Sequence, residues 1–274
     1  MRIGSNIQAM QTLRRMGQVN RTLEVENRKL ASGDRIIEAA VDPAGLAISE
    51  KMGSIIRGQE QAQRNINDGL SAMQVAEGSL SVVQELGTRL KELAMQAAND
   101  TLSHYDRSLV DREFQETKRE MARIVKATDY NGRRLLDPAG GPYGIQVGVH
   151  AQASTNQVTY DFGRVVKEGS FGLSSVSVAS KEGAQRAITQ VDSSIHELSR
   201  SRADLASITT KMTSALTNMQ IYHENTSSAK SRIRDNDVAE GVSKRAVANI
   251  QRSASGSMLD IVTKRPQGVL RLLE

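Results

Sequence analysis

The chain has no cysteine and no tryptophan, only three phenylalanines and five tyrosines in 274 residues, and its first aromatic residue is Tyr105. Without cysteine it has no disulfide, no thiolate nucleophile and no zinc–thiolate site. Without large rings over its first hundred residues, that third cannot build a thick globular core. Prolines are confined to positions 43, 138, 142 and 266, and since proline breaks helix interiors, two long stretches are free to be helical. No apolar run approaches the ~18 residues needed to span a bilayer, and Met1-Arg2-Ile3-Gly4-Ser5-Asn6 is not followed by the apolar core of a signal peptide. Membrane insertion is not expected.

What remains is rich in Ala, Leu, Ile, Met, Glu, Gln, Lys and Arg, the strong helix formers and the usual material of thin helix-to-helix seams. The net charge of +5 is uneven: residues 1–30 hold six Lys/Arg against two Glu, and residues 230–274 nine against five Asp/Glu. Basic ends suggest nucleic acid, but the N-terminal third offers no aromatic platform for stacked bases, so no nucleic-acid partner is expected.

Apolar residues at Ile3, Ile7, Met10, Leu13, Met16, Val19 and Leu23 recur at steps of three and four, one face of a helix. Leu30-Ala31-Ser32-Gly33 supplies a glycine stop, and Asp42-Pro43 restarts a helix with a capping Asp and a proline at its first position. From Ala44 to about Asn99 nothing forces a break, which predicts a helix of roughly 80 Å. A turn at 99–103, a further helix over about 105–128 and a closing Asp129-Tyr130-Asn131-Gly132 follow. Residues 137–183, with eight glycines and two prolines, contain short alternating runs at 145–150 and 158–162 that predict a β-hairpin. Helical spacing returns at Ile188, Val191, Ile195, Leu198, Leu205, Ile208, Met212, Leu216 and Met219, with Arg202 where a seam residue is due. A polar break at 231–237 precedes a last helix from Val238 to about Lys264, ahead of Pro266 and an apolar tail. Met10, Met16, Met212 and Met219 lie on these stripes as packing material.

The expected fold is mainly α: an elongated rod of long antiparallel helices with coiled-coil terminal segments and a small central β-hairpin. Its expected parts are a terminal helix at 1–33, a linker at 34–43, the halves of a helical rod domain at 44–136 and 184–234, the hairpin insertion at 137–183, and a terminal helix and tail at 235–274. Stripes this long leave apolar surface uncovered, which implies a partner or self-association. Polymerisation is assigned to the two ends through Ile3, Ile7, Met10, Leu13, Leu23, Ile250, Met258 and Ile261. Each end alone is too short to hold a stable helix in water, so both are expected to be largely disordered until assembled.

No pattern points to catalysis, a metal or a cofactor. The four histidines, at 104, 150, 196 and 223, form no pair at ligand spacing, and Arg200 stands where a metalloprotease helix starting at His196-Glu197 needs its second histidine. Gly140-Gly141-Pro142-Tyr143-Gly144 lacks the strand-to-helix context of a phosphate loop.

Several segments together resemble bacterial flagellin. They are Leu30-Ala31-Ser32-Gly33, Ala44-Gly45-Leu46-Ala47-Ile48-Ser49-Glu50-Lys51-Met52, Ile56-Arg57-Gly58, Asn67-Asp68-Gly69, Ala76-Glu77-Gly78, Glu92 to Asn99, Tyr130-Asn131-Gly132 and Ser231-Arg232-Ile233-Arg234-Asp235. The resemblance spans both helical halves and departs at Val41-Asp42-Pro43 and over 241–268. It implies a structural subunit, not an enzyme, that polymerises with itself into an extracellular flagellar filament for motility, after signal-less export through the flagellar type III apparatus. The partners it implies are an export chaperone on Val269, Leu270, Leu272 and Leu273, the hook-associated and cap proteins, and an animal Toll-like receptor at Arg89, Leu93 and Glu113. The alternatives are a hook–filament junction protein, which shares such ends, and a soluble helical adaptor.

Overall fold

The computed structural model describes residues 6–136, 141–161, 172–173 and 175–270, and for 265–270 it describes the backbone alone. In chain order the elements are α1 (Ile7–Ser32), α2 (Pro43–Ala97), α3 (His104–Ala127), β1 (Asp129–Tyr130), β2 (Arg133–Arg134), β3 (Tyr143–Gln146), α4 (Ala153–Asn156), β4 (Gln157–Tyr160), α5 (Lys181–Arg234) and α6 (Val238–Leu270). The fold is mainly α, with two small antiparallel β pairs. Two compact units divide the chain: residues 1–56 with 224–274, and residues 57–223. Both α2 and α5 supply residues to each unit.

Local chemistry sets the helix ends. Gly33 closes α1 in the left-handed region at φ 75°, where glycine pays no Cβ penalty, and its N–H reaches the Lys29 carbonyl. The Asp42 carboxylate accepts from the Gly45 N–H at 2.9 Å and starts α2, while Ser103 caps α3 through the Asp106 N–H. Asn131 and Gly132, both at positive φ, turn β1 into β2.

The core of the 57–223 unit is a seam of α2, α3 and α5. On α5 the residues seven apart, Ala184, Val191, Leu198, Leu205 and Met212, are all buried, which is heptad spacing. They meet Ile66, Met73, Leu80 and Leu90 of α2 and Val110, Phe114, Met121 and Val125 of α3. Lys91 pairs with Asp192 at 2.6 Å and Arg202 with Glu77 at 2.5 Å, so α2 and α5 run antiparallel. Arg202, the charge that interrupts the stripe, holds the Glu77 carboxylate and the Gln84 amide oxygen. A cation in a seam is tolerated because its guanidinium is hydrogen-bonded at both ends.

The hairpin pairs Tyr143 with Tyr160 and Gln146 with Gln157, so its strands begin and end earlier than the runs at 145–150 and 158–162 predicted; Phe162 lies outside the described residues. The shift follows from α4, one helical turn that occupies the connection and draws Asn156 back to accept from the Val147 N–H at 2.8 Å. Glycines of α2 admit this hairpin: a Cβ on Gly58 would lie 2.7 Å from Val149, and one on Gly69 2.7 Å from Ile145 and 2.5 Å from Met212. Gly78 faces open space instead. Gly78→Ala is therefore expected to raise the stability of the monomer by about 0.5–1 kcal/mol, helix propensity alone. Gly69→Ala should lower its melting temperature in the same thermal scan.

Within the 1–56/224–274 unit α1 and α6 lie antiparallel and pack together. One expectation for the ends changes: the last helix runs through Pro266 to Leu270. The carbonyl that Pro266 leaves without its intrahelical donor is that of Val262, four residues back, and the Asn6 amide donates to it at 3.1 Å.

Candidate assembly surface

The α1–α6 pair is held by little. Val19 and Leu23 of α1 and Ala248 of α6 form its single hydrophobic cluster among the described residues. Glu26, also buried on α1, is neutralised by Lys29 at 3.0 Å. At the end near Gly33 the unit is tied by backbone. The Asn236 N–H donates to the Gly33 carbonyl at 2.8 Å and the Arg35 N–H to the Arg234 carbonyl at 2.7 Å. Arg234 lies across this junction, 3.2 Å from Asp34 and 2.6 Å from Glu50. Hydrogen bonds to Glu50 and Asp34 push its guanidinium still further above its ordinary value, so it stays charged. Gly241 gives Leu30 room, since a Cβ there would lie 2.9 Å from Leu30 Cδ2.

Toward the N-terminus of α1 the two helices face each other across an open groove of about 720 Å³, with Gln8, Gln11 and Arg15 on one wall and Met258 and Ile261 on the other. Of the residues assigned to polymerisation, Ile7, Met10, Leu13, Ile250, Met258 and Ile261 are 52–69% exposed. Leu23 belongs to the internal cluster instead, and Ile3 lies outside the described residues. Val238, Val242 and Val247 of α6 are exposed as well and widen an apolar face that the spacing in that helix had outlined only at three positions. Six large apolar side chains on two adjacent helices, in water on a unit this thin, form a surface suited to burial against other chains.

Elsewhere the assigned residues separate. Arg89 and Glu113 meet on the surface of the 57–223 unit, with Arg89 Nη2 2.7 Å from Glu113 Oε1 and Nη1 3.0 Å from Glu92. Leu93 is fully buried in the core of that unit. At 3.6 residues per turn, four residues overshoot one turn by about 40°, enough to move Leu93 from the exposed face of Arg89 into the seam. Leu272 and Leu273 lie outside the described residues, as do the side chains of Val269 and Leu270. No helix among the described residues is long and apolar enough to cross a membrane.

Comparison with known proteins gives a consistent picture. A family model described as the bacterial flagellin N-terminal helical region matches residues 3–140, and one described as the bacterial flagellin C-terminal helical region matches 188–273. A flagellin of Halalkalibacterium halodurans is 36% identical over 99% of both chains. A flagellin of Bacillus subtilis is 33% identical over the whole of both, and a 30.7 kDa flagellar filament core protein of Treponema maltophilum 32% identical over 99% of both. The crystal structure of Bacillus cereus flagellin superposes with a TM-score of 0.51 at 26% identity, covering 57% of this chain and 88% of that one.

Proposed function

The chain belongs to the bacterial flagellin family and is a subunit of the flagellar filament, and from that premise we propose that the faces of α1 and α6 carrying Ile7, Met10, Leu13, Ile250, Met258 and Ile261 are its polymerising surface. The observation that supports this is their exposure on a pair of helices with a single small buried cluster. Burial against neighbouring subunits would stabilise the polymer by about 25 cal/mol per Å² of apolar area removed from water. Ile3 would extend the same stripe. The terminal residues share a positive charge, which opposes association, and salt eases it by screening within roughly 10 Å.

The filament places the protein outside the cell. Before export, the apolar residues Val269, Leu270, Leu272 and Leu273 would be masked by an export chaperone, and in the flagellum the subunit would meet hook-associated and cap proteins. A Toll-like receptor of an animal host would find Arg89 and Glu113 on the surface, with Leu93 acting through the packing beneath them. The family is one of structural proteins, and no reaction is proposed.

The test removes residues 1–33 and 235–274 and follows the product by sedimentation and circular dichroism beside the intact protein in moderate salt. The truncated chain is expected to stay helical, through the α2–α3–α5 core, and to form no filaments. Long filaments from it would overturn the assignment.

A further inference from the structure

With no cysteine in the chain, ten methionines supply all of its sulfur, and the fold sorts them by access to water. Met73, Met121 and Met212 lie in the seam of α2, α3 and α5, at most 4% exposed, where a solute in water does not reach the thioether. Met10 of α1 and Met258 of α6 are each 56% exposed, and so, at 57%, is Met95 of the 57–223 unit. Met258 stands on the wall of the open groove. Met16, Met52 and Met219 are half-buried, and Met1 lies outside the described residues.

An exposed thioether reacts with hydroperoxides. The sulfur lone pair attacks one peroxide oxygen and the O–O bond breaks. The hydroxide or alkoxide released then takes the proton from the new S–OH group and leaves as water or an alcohol. Sulfur loses two electrons and the peroxide gains them. The product, methionine sulfoxide, carries a strong hydrogen-bond acceptor in place of a flexible apolar tip. Met10 and Met258 are two of the six large side chains on the assembly surface, and the other four, Ile7, Leu13, Ile250 and Ile261, have no side-chain donor to offer that oxygen.

The consequence depends on the state of the chain. In the unassembled subunit both thioethers face solvent, and any loosening of α1 from α6 bares them further, so the reaction does not need the pair to be ordered. In the polymer the same atoms are covered. A sulfoxide formed beforehand must shed its water on entering that apolar contact, without a partner to replace it.

We propose that Met10 and Met258 form a redox-sensitive modification site: hydroperoxides convert them to sulfoxides in the unassembled subunit, and the modified subunit is kept out of the polymer until a sulfoxide reductase restores the thioethers. The proposal rests on the assembly surface described above.

Hydrogen peroxide is the probe, applied to the full-length chain as monomer and as filament, with oxidised positions mapped by peptide mass spectrometry. In the monomer Met10, Met95 and Met258 are expected to oxidise first and Met73, Met121 and Met212 last. In the filament Met10 and Met258 should react about tenfold more slowly than in the monomer, because oxidation follows exposure. Oxidised monomer is expected to need about tenfold more protein to polymerise, toward the low end for burying two polar groups without partners. A mixture of the two sulfoxide reductases, one for each epimer, should return the threshold to its untreated value. Each variant is compared with its own untreated threshold. In a chain carrying Met10→Leu and Met258→Leu, which keep the apolar volume, peroxide should move that threshold less than about twofold, whereas a Met95→Leu chain should respond as the natural one does. A double leucine chain as sensitive to peroxide as the natural chain would overturn the site. Equal oxidation of Met10 and Met258 in filaments and monomers would overturn the assembly surface itself, while protection in filaments with an unmoved threshold for the oxidised monomer would overturn the redox site alone.

Discussion

Arg107→Met is expected to destabilise the 57–223 unit by about 2 kcal/mol. Arg107 stands on α3 and is only 6% exposed. Its Nε donates to the Ala97 carbonyl at 2.9 Å and its Nη2 to the Asn99 carbonyl at 3.1 Å. These groups belong to the last turn of α2 and the loop after it, a helix end that carries no basic residue of its own. The last four carbonyls of a helix have no intrahelical donor, and a buried one left unsatisfied costs roughly 1–3 kcal/mol. Methionine preserves most of the stem's packing and removes both donors; the Asn99 carbonyl keeps the Leu102 N–H at 3.5 Å, so the cost is mainly that of the Ala97 carbonyl. For a unit of this size, 1 kcal/mol moves the melting temperature by about 2–4 °C, which predicts a drop of roughly 4–8 °C by calorimetry. Hydrogen exchange should quicken first at the end of α2. Arg107→Lys should recover part of the loss, because an ammonium can reach one carbonyl but cannot fork across two. A melting temperature unchanged by Arg107→Met would mean that water serves those carbonyls and that the cap is incidental.

Nothing local in the sequence announces Arg107. It lies one turn into a helix of its own, among charged neighbours, and the carbonyls it serves are ten and eight residues back across a turn. The long helices, by contrast, were legible, because their signals are local: the glycine after Ser32, Asp42-Pro43, and a step of seven that needs no partner to be recognised. Arg202 was visible as an anomaly for the same reason, though Glu77 and Gln84, more than a hundred residues away, were not visible as its partners. The hairpin strands start two residues and one residue earlier than expected, because alternation marks a strand but not its register, which α4 and Asn156 set. At the ends, periodicity marked the stripe without telling its buried part from its exposed part. Leu23 and Met10 look alike in the pattern, and only the position of Ala248 separates them. Proline was expected to end α6, since the donor that makes it tolerable, Asn6, is 256 residues distant.

A chain carrying Ile250→Glu and Ile261→Glu is expected to remain monomeric at concentrations where the natural chain forms filaments. Both residues are more than half exposed in the subunit, at 69% and 52%, so the substitutions disturb little internal packing and should alter monomer stability by no more than about 1 kcal/mol each. In the polymer the balance differs. Each isoleucine that becomes buried contributes about 1.5–3 kcal/mol, and a carboxylate in its place must be desolvated, which costs more still. The surface still open to burial, 69% and 52% of the two residues, is worth about 2–4 kcal/mol per subunit, or roughly one and a half to three decades in critical concentration at 1.36 kcal/mol per decade. The sign separates burial from simple electrostatics. Residues 230–274 carry an excess of positive charge, so two glutamates reduce the repulsion between ends, and a filament governed by net charge would assemble more readily. Salt supplies the second discriminant: it should promote assembly of the natural chain by screening and fail to restore the double variant, whose defect is desolvation. Ile250→Leu with Ile261→Leu, which keeps the apolar area, should polymerise close to normally. Sedimentation across a concentration series, with circular dichroism to confirm an unaltered monomer, decides the matter; filaments from the glutamate variant at the natural threshold would show that α6 meets water, not neighbours, in the assembled state.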